Sequence, residues 1–201
     1  LLEIKDLHVV YETDDSTVYA VSGLDLTINK GETLGLVGET GAGKTTTALS
    51  IMRLLPFRTG FIRQGLIKLE DLDITKAKEQ DMRLLRGNVI SMIFQDPMTS
   101  LNPTLTVGFQ IAEVIELHEK DLSRDNISKR VDEILELVGI PPGRKNEYPH
   151  EFSGGMKQRV VIAMALACRP KLLLADEPTT ALDVTIQAQV LEMMKELKEN
   201  M

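Results

Sequence analysis

Cysteine, tryptophan and long apolar runs are what this sequence has least of. Its 201 residues include one cysteine, no tryptophan and 4% aromatic residues. A single cysteine forms no internal disulfide and no cysteine-rich metal site, and it fits a reducing compartment. No apolar stretch approaches the roughly 18 residues that a membrane span requires. The longest, Val160 to Leu166, is short and follows a polar helix start. The opening Leu1-Leu2-Glu3-Ile4-Lys5-Asp6 lacks the cationic start and apolar stretch of a signal peptide. Positive charge is also in deficit: 23 Lys and Arg face 30 Asp and Glu, a net charge of −7. That balance argues against a protein that grips nucleic acid by neutralising its phosphates. It does not exclude a nucleotide, because a local site can be positive in an acidic protein. The length suits one domain with a sizeable insert and a core large enough to need no staples.

What is present alternates between strand and helix patterns. Residues 2–11 and 17–28 read as strands joined by the polar turn Thr13-Asp14-Asp15-Ser16, with Val18, Ala20, Leu24, Leu26 and Ile28 broadly alternating in the second. Thr33 to Val37, an apolar run between Gly31 and Gly38, predicts a short buried strand. Residues 43–55 predict a helix through Ala48, Ile51, Met52 and Leu55, stopped by Pro56. Strands are expected at Phe61–Leu69, Asn88–Phe94 and Lys171–Ala175, and helices at 106–118, 125–138, 154–168 and 184–198. Strands on both sides of a helical middle predict an α/β core with a mostly helical insert at about 97–158.

Two segments carry phosphate chemistry. Gly38-Glu39-Thr40-Gly41-Ala42-Gly43-Lys44-Thr45, followed by Thr46, fits the P-loop pattern G-x-x-x-x-G-K-[ST] between an expected strand and an expected helix. Its glycines let backbone N–H groups converge on one anion, and the helix start adds partial positive charge at the same point. In such a loop Lys44 neutralises the β and γ phosphates and the Thr45 hydroxyl holds Mg²⁺. Leu172-Leu173-Leu174-Ala175-Asp176-Glu177 is an apolar strand tipped by two carboxylates. Asp176 is placed to reach Mg²⁺, directly or through water, and Glu177 to polarise an attacking water as general base.

Glu151-Phe152-Ser153-Gly154-Gly155-Met156-Lys157-Gln158-Arg159 is a second anion-binding helix start. One nucleotide does not need two such cradles in one chain. The stretch resembles the signature motif of ATP-binding-cassette (ABC) ATPases, in which Ser153, Gly154 and Gly155 would cover the γ-phosphate held by another subunit's P-loop. Phe94-Gln95-Asp96 resembles the Q-loop of that family, with Gln95 sensing Mg²⁺ and the attacking water. Ala181-Leu182-Asp183 resembles the D-loop, which crosses the dimer interface. Tyr11 is placed like the aromatic that stacks on adenine, with Tyr19 as its rival. The resemblance spans essentially the whole chain.

It implies a P-loop NTPase (RecA-like) core with an N-terminal antiparallel β subdomain and a helical subdomain. Residues 1–95 and 159–201 would form the catalytic core and 96–158 the helical part. Within the family, Gln95-Asp96-Pro97-Met98-Thr99-Ser100-Leu101-Asn102-Pro103, Tyr148-Pro149-His150-Glu151 and Met156-Lys157-Gln158-Arg159-Val160 resemble the ATP-binding subunits of oligopeptide, dipeptide and nickel importers, of the D type. The resemblance further implies ATP and Mg²⁺ as ligands, a second ATPase subunit, two transmembrane permease subunits docked near residues 96–120, and, indirectly, an extracytoplasmic solute-binding protein. It also implies a place on the cytoplasmic face of the membrane and no nucleic-acid partner. A soluble ABC ATPase acting on nucleic acid or ribosomes is the alternative.

The family carries a switch His about thirty residues beyond the catalytic Glu, which lies past Met201. The chain begins without Met and stops directly after an amphipathic pattern. A fragment with impaired turnover is therefore expected, lacking the strand that the family places between its P-loop strand and the strand ending at Glu177. Cys168 is expected in the core, and His8, His118 and His150 have no metal-ligand spacing. Met52, Met156, Met164, Met193 and Met194 read as core or interface filler.

Overall fold

The computed structural model describes residues 1–95, 97–178 and 184–200. These residues fold into two compact units, Leu1–Arg83 and Leu84–Met201.

The first unit is built on an antiparallel sheet. Its strands are β1 (Leu2–Glu12), β2 (Thr17–Ile28), β3 (Gly60–Leu69) and the short β4 (Leu72–Asp73), in the order β2-β1-β3-β4. β1 lies inside the sheet, and Leu2, Ile4, Leu7 and Val9 are all within 1% of full burial. Burying an aliphatic side chain of this size contributes about 1.5–3 kcal/mol. The period of two breaks near Asp6. The register slips between Ile4 and Leu7 against β2, and between Lys5 and His8 against β3, with Asp6 at φ 45°. This bulge explains why the inward set shifts from even to odd positions along β1. Gly65 faces it at φ 104°, and a Cβ there would stand 2.5 Å from the Asp6 carbonyl oxygen. The imidazole of His8, 2.9 Å from Asp6 Oδ1, holds the Asp6 carboxyl below its ordinary range.

Helix α1 (Lys44–Ile51) follows the Gly-rich loop. Beyond it Arg53 takes a left-handed conformation at φ 53°, and its guanidinium donates to the Ile74 and Thr75 carbonyls at 2.9 and 2.8 Å. The helix thus ends at Ile51, five residues before Pro56. Thr33 to Val37 does not form the expected strand. No β ladder includes it among the described residues, and Leu34, Leu36 and Val37 are 43%, 47% and 99% exposed. An apolar pentad is buried only when a neighbouring strand pairs its backbone and a layer covers its side chains. Neither condition can be read from the pentad itself.

After α2 (Glu79–Leu85), the second unit opens with β5 (Ile90–Ile93), which pairs in parallel with β6 (Leu172–Ala175), from Ile90↔Leu172 to Ile93↔Ala175. All four residues of β5 are buried, as parallel strands usually are. β6 is less covered than expected: Leu172 is buried, Leu173 and Leu174 are half-buried, and Ala175 is exposed. Between the strands run α3 (Pro97–Ser100), α4 (Val107–His118), α5 (Arg124–Leu137) and α6 (Gly154–Leu166), with α7 (Val184–Asn200) after β6. Thr106, Ser123 and Ser153 cap α4, α5 and α6, each hydroxyl accepting from the backbone N–H three residues on. The helices meet over one core containing Ile111, Ile115, Val131, Leu135, Val160 and Ile162. Met156, Met164, Met193 and Met194 pack against it, and Cys168 is buried. Gly139 at φ 71° and Pro141 end the α5 segment as the sequence suggests.

Candidate nucleotide-binding and hydrolysis site

In the first unit the Gly-rich loop leads directly into α1, without the expected strand ahead of it. α1 starts at Lys44 with Gly43 as its N-cap residue, at φ 84° and ψ 7°, and no side chain caps the helix. A helix start capped by glycine rather than by a polar side chain is the arrangement that favours an incoming anion. Gly43 is demanded twice. Its φ lies in the left-handed region, and a Cβ would stand 2.4 Å from the Ala20 carbonyl oxygen of β2. Lys44 folds back over the loop, and its Nζ donates to the carbonyls of Gly38 at 2.7 Å and Glu39 at 3.1 Å. The loop residues Gly38, Glu39, Thr40, Gly41 and Ala42 are exposed, as is Thr45. Thr46, Thr47 and Ser50 are buried. Thr47 Oγ1 and Ser50 Oγ are satisfied within the helix by the Gly43 and Thr46 carbonyls, at 2.9 and 2.7 Å.

Tyr11, at the end of β1, bonds through its hydroxyl to Thr46 Oγ1 at 3.2 Å. Its ring packs beside Gly60, where a Cβ would lie 3.2 Å from Tyr11 Cε1. Tyr19 sits on the edge strand and is 74% exposed. The fold thus ties Tyr11, not Tyr19, to the helix that leaves the P-loop.

In the second unit the parallel pair brings its two tips together. The Asp176 N–H donates to the Ile93 carbonyl at 3.0 Å, extending the ladder by one residue. Asp176 is 9% exposed. Just past β5, Gln95 Nε2 donates to Glu177 Oε2 at 3.0 Å. Glu177 holds φ 48°, a left-handed backbone rare for a side chain of this kind. Such conformations cost about 1–3 kcal/mol and gather at functional positions.

Ser153-Gly154-Gly155 opens α6, with the Ser153 hydroxyl accepting from the Met156 N–H at 3.4 Å. A Cβ added to Gly154 would meet no atom within 4 Å. Unlike Gly43, Gly154 is not demanded by the packing of this chain, and its missing side chain leaves the helix start open. The motifs do not single out Arg144, which lies among Glu147, Glu151, Phe152 and Met156 just ahead of this turn. The only signal in the sequence is an Arg placed three residues before a Glu. Asp183 and Asp96 lie outside the described residues. Among the described residues no group of three or more His, Cys, Asp or Glu is arranged to hold a metal. His8 bonds to Asp6, and His150 stacks on Tyr148 with ring centroids 5.8 Å apart.

The first unit thus holds a P-loop motif, and the second a Gln–Glu pair at parallel strand tips and an open Ser-Gly-Gly helix start. Residues 21–180 match the family model described as ABC transporter, and the chain belongs to that family. Over 201 residues it is 56% identical to the oligopeptide transport ATP-binding protein OppD of Bacillus subtilis (strain 168), covering 99% of this chain and 56% of that protein. It is 53% identical over 200 residues to the dipeptide transport ATP-binding protein DppD of the same organism, covering 98% of this chain and 59% of the relative. The chain thus spans less than two thirds of the length of these relatives.

Among solved structures, a dimeric ATP-binding cassette, MJ0796, in a post-hydrolysis state bound to ADP and Pi is similar with a TM-score of 0.86 and 27% identity. That likeness covers 100% of this chain and 84% of the other. The cbiO1 protein of Clostridium perfringens, part of the transporter complex cbiONQ, gives a TM-score of 0.81 at 28% identity over 99% of this chain and 74% of its own. The fold is therefore the α/β ABC ATPase fold, with an antiparallel β subdomain at the N-terminus. Among the described residues no helix is long and apolar enough to cross a membrane.

Proposed function

We propose that this chain is the ATP-binding and hydrolysing part of a motor subunit in an importer for oligopeptides or dipeptides, of the D type. The observation that carries the reading is the hydrogen bond from Gln95 to Glu177 at the strand tips, in a chain whose α1 follows a P-loop motif. The residues fit a nucleotide: α1 lacks a side-chain cap, Gly43 is sterically required, and Lys44 lies within the loop. Gly38 to Thr46 would hold the phosphates, Tyr11 would lie against the base, and Thr45, Gln95 and Asp176 are oxygen donors suited to Mg²⁺. When bound, the metal would supply charge neutralisation on the transferring phosphoryl group.

The chain's own groups divide the work. Lys44 places a fixed positive charge beside the terminal phosphates. Glu177 accepts a proton from the attacking water, and Gln95 orients that carboxylate through Oε2. Ser153, Gly154 and Gly155 present N–H groups to the nucleotide of a second ATPase subunit, and Asp183, by its motif, would belong to the loop that serves the same interface. Residues 1–95 and 159–201 serve as catalytic core and 96–158 as the helical subdomain. Two permease subunits would dock on residues 96–120. A solute-binding protein outside the cell would select cargo, and this subunit would work at the cytoplasmic face of the membrane. ATP then acts by binding the closed dimer better than the open one.

The deciding experiment uses the full-length protein. Glu177→Gln should accumulate an ATP-bound dimer, seen by light scattering, and abolish steady-state phosphate release. A dimer fraction unchanged by that substitution would overturn the two-site reading. Co-purification with membrane subunits should also hold; co-purification with nucleic acid would support the alternative class instead.

A further inference from the structure

We propose that Arg144 is a positioning residue for the signature turn, fixing Ser153-Gly154-Gly155 in the orientation that meets the nucleotide of a second cassette. This role presupposes the proposed function of that turn.

Arg144 lies in the 3₁₀ turn Pro142–Asn146. Its guanidinium makes four different attachments. Nε donates to Glu147 Oε2 at 2.7 Å, Nη2 to the Glu151 carbonyl at 3.1 Å, and Nη1 to the Met156 thioether at 3.2 Å. Its central carbon stands 4.4 Å from the ring centroid of Phe152. These partners bracket the signature turn. Glu147, Glu151 and Phe152 precede Ser153, and Met156 follows Gly155 on the first turn of α6.

Each partner on the entering side is anchored in turn. Phe152 is 4% exposed within the core. The Glu147 carbonyl accepts from the Val107 N–H at 2.9 Å, at the start of α4. The Glu151 carboxylate accepts from the Tyr148 N–H at 2.7 Å. One planar cation therefore joins the entering chain, the core aromatic under the turn and the helix leaving it. It spans the turn alongside the cap bond that Ser153 Oγ accepts from the Met156 N–H. A guanidinium can satisfy a fork, a carbonyl and an aromatic face together, whereas an ammonium group cannot. A thioether is a weak acceptor, so its role here is to register the helix start, and the stronger hold comes from the carboxylate and the carbonyl.

The test uses the full-length protein with Arg144→Lys as the main variant, because it keeps the charge and loses the fork. Two quantities are read. One is the affinity of the isolated subunit for a fluorescent ATP analogue. The other is ATP-dependent dimerisation in the Glu177→Gln background, together with kcat in the otherwise native protein. The expected result is analogue affinity within about twofold of wild type, with dimerisation and kcat each reduced by about tenfold or more, about 1.4 kcal/mol. Met156→Gln, which retains an acceptor, should keep most of the dimerisation, and Met156→Leu should lose more of it.

Gly154→Asp is the control, since a Cβ there meets no atom within 4 Å. If Gly154→Asp abolishes dimerisation while Arg144→Lys leaves dimerisation and kcat within twofold, the positioning role is overturned. If Gly154→Asp also changes nothing, the proposed function of the turn itself is what fails. Loss of analogue affinity equal to the loss of dimerisation would mark Arg144 as a general stabiliser and would overturn the proposal as well.

Discussion

Gln95 donates a hydrogen bond to Glu177 across the carboxyl ends of two parallel strands, 82 residues apart in sequence. The pairing arises because β5 and β6 run in register to Ile93↔Ala175 and the Asp176 N–H adds one further bond. The strand ladder thus sets the reach between amide and carboxylate, and the side chains close it. Removing the carboxylate by Glu177→Gln should lower turnover by about 10²–10⁴-fold, the usual contribution of a general base. Gln95→Leu leaves the proposed base but frees its orientation, so a smaller loss, of about tenfold, is expected. Phosphate release measured beside nucleotide binding separates the two, and binding should persist in both.

Gly43→Ala should damage the protein more than Gly41→Ala. Both glycines have positive φ, 84° and 87°, so each substitution stores backbone strain of about 1–3 kcal/mol. Only at Gly43 would the new methyl also press on the Ala20 carbonyl oxygen, at 2.4 Å; at Gly41 it meets nothing within 4 Å. Urea unfolding of the two variants should rank them in that order. Equal midpoints would mean that the loop and β2 are not held so close together.

The hydroxyl of Tyr11 and its ring can be separated. Tyr11→Phe removes the bond to Thr46 Oγ1 and should cost about 0.5–1.5 kcal/mol of stability. It should leave adenine affinity largely intact, because the stacking face remains. Tyr11→Leu should weaken ATP more than it weakens inorganic triphosphate, since only the former carries a base. Tyr19→Leu, on an exposed edge, should change neither.

Cys168 offers a pH-dependent probe. Burial, first of all, raises its thiol above the ordinary range. The thiolate is the reactive form, so a raised value means less of it at any given pH near 8. Labelling by a disulfide reagent at that pH should be at least about tenfold slower in the native protein than in the denatured one. The native rate should still be climbing at a pH where the denatured rate has levelled off.

Much of the architecture was legible because it depends on local rules. β2 announced itself by its broad alternation and was set off from β1 by the polar turn at Thr13 to Ser16, and α4 and α5 by their helical patterns, in α5 through Ile127, Val131, Ile134 and Leu135. The P-loop and the Glu at a strand tip were legible because their chemistry constrains residue type and spacing together. Two features were not. Apolarity alone suggested that Thr33 to Val37 is buried, but burial is a property of neighbours, and Leu36 and Val37 have too few. Arg144 has no motif: its importance lies in the convergence of Glu147, Glu151, Phe152 and Met156, which only the turn from Pro142 to Glu151 creates.

The left-handed backbone of Glu177 has an evolutionary and engineering consequence. Glycine would occupy φ 48° without strain, so at this position the residue best for the fold is not the residue best for the proposed chemistry. A selection for thermal stability alone, applied to this protein, would be expected to drift toward Glu177→Gly and to discard catalysis as it gained robustness. If Glu177 is the base proposed above, consensus-style stabilisation should leave this one position alone.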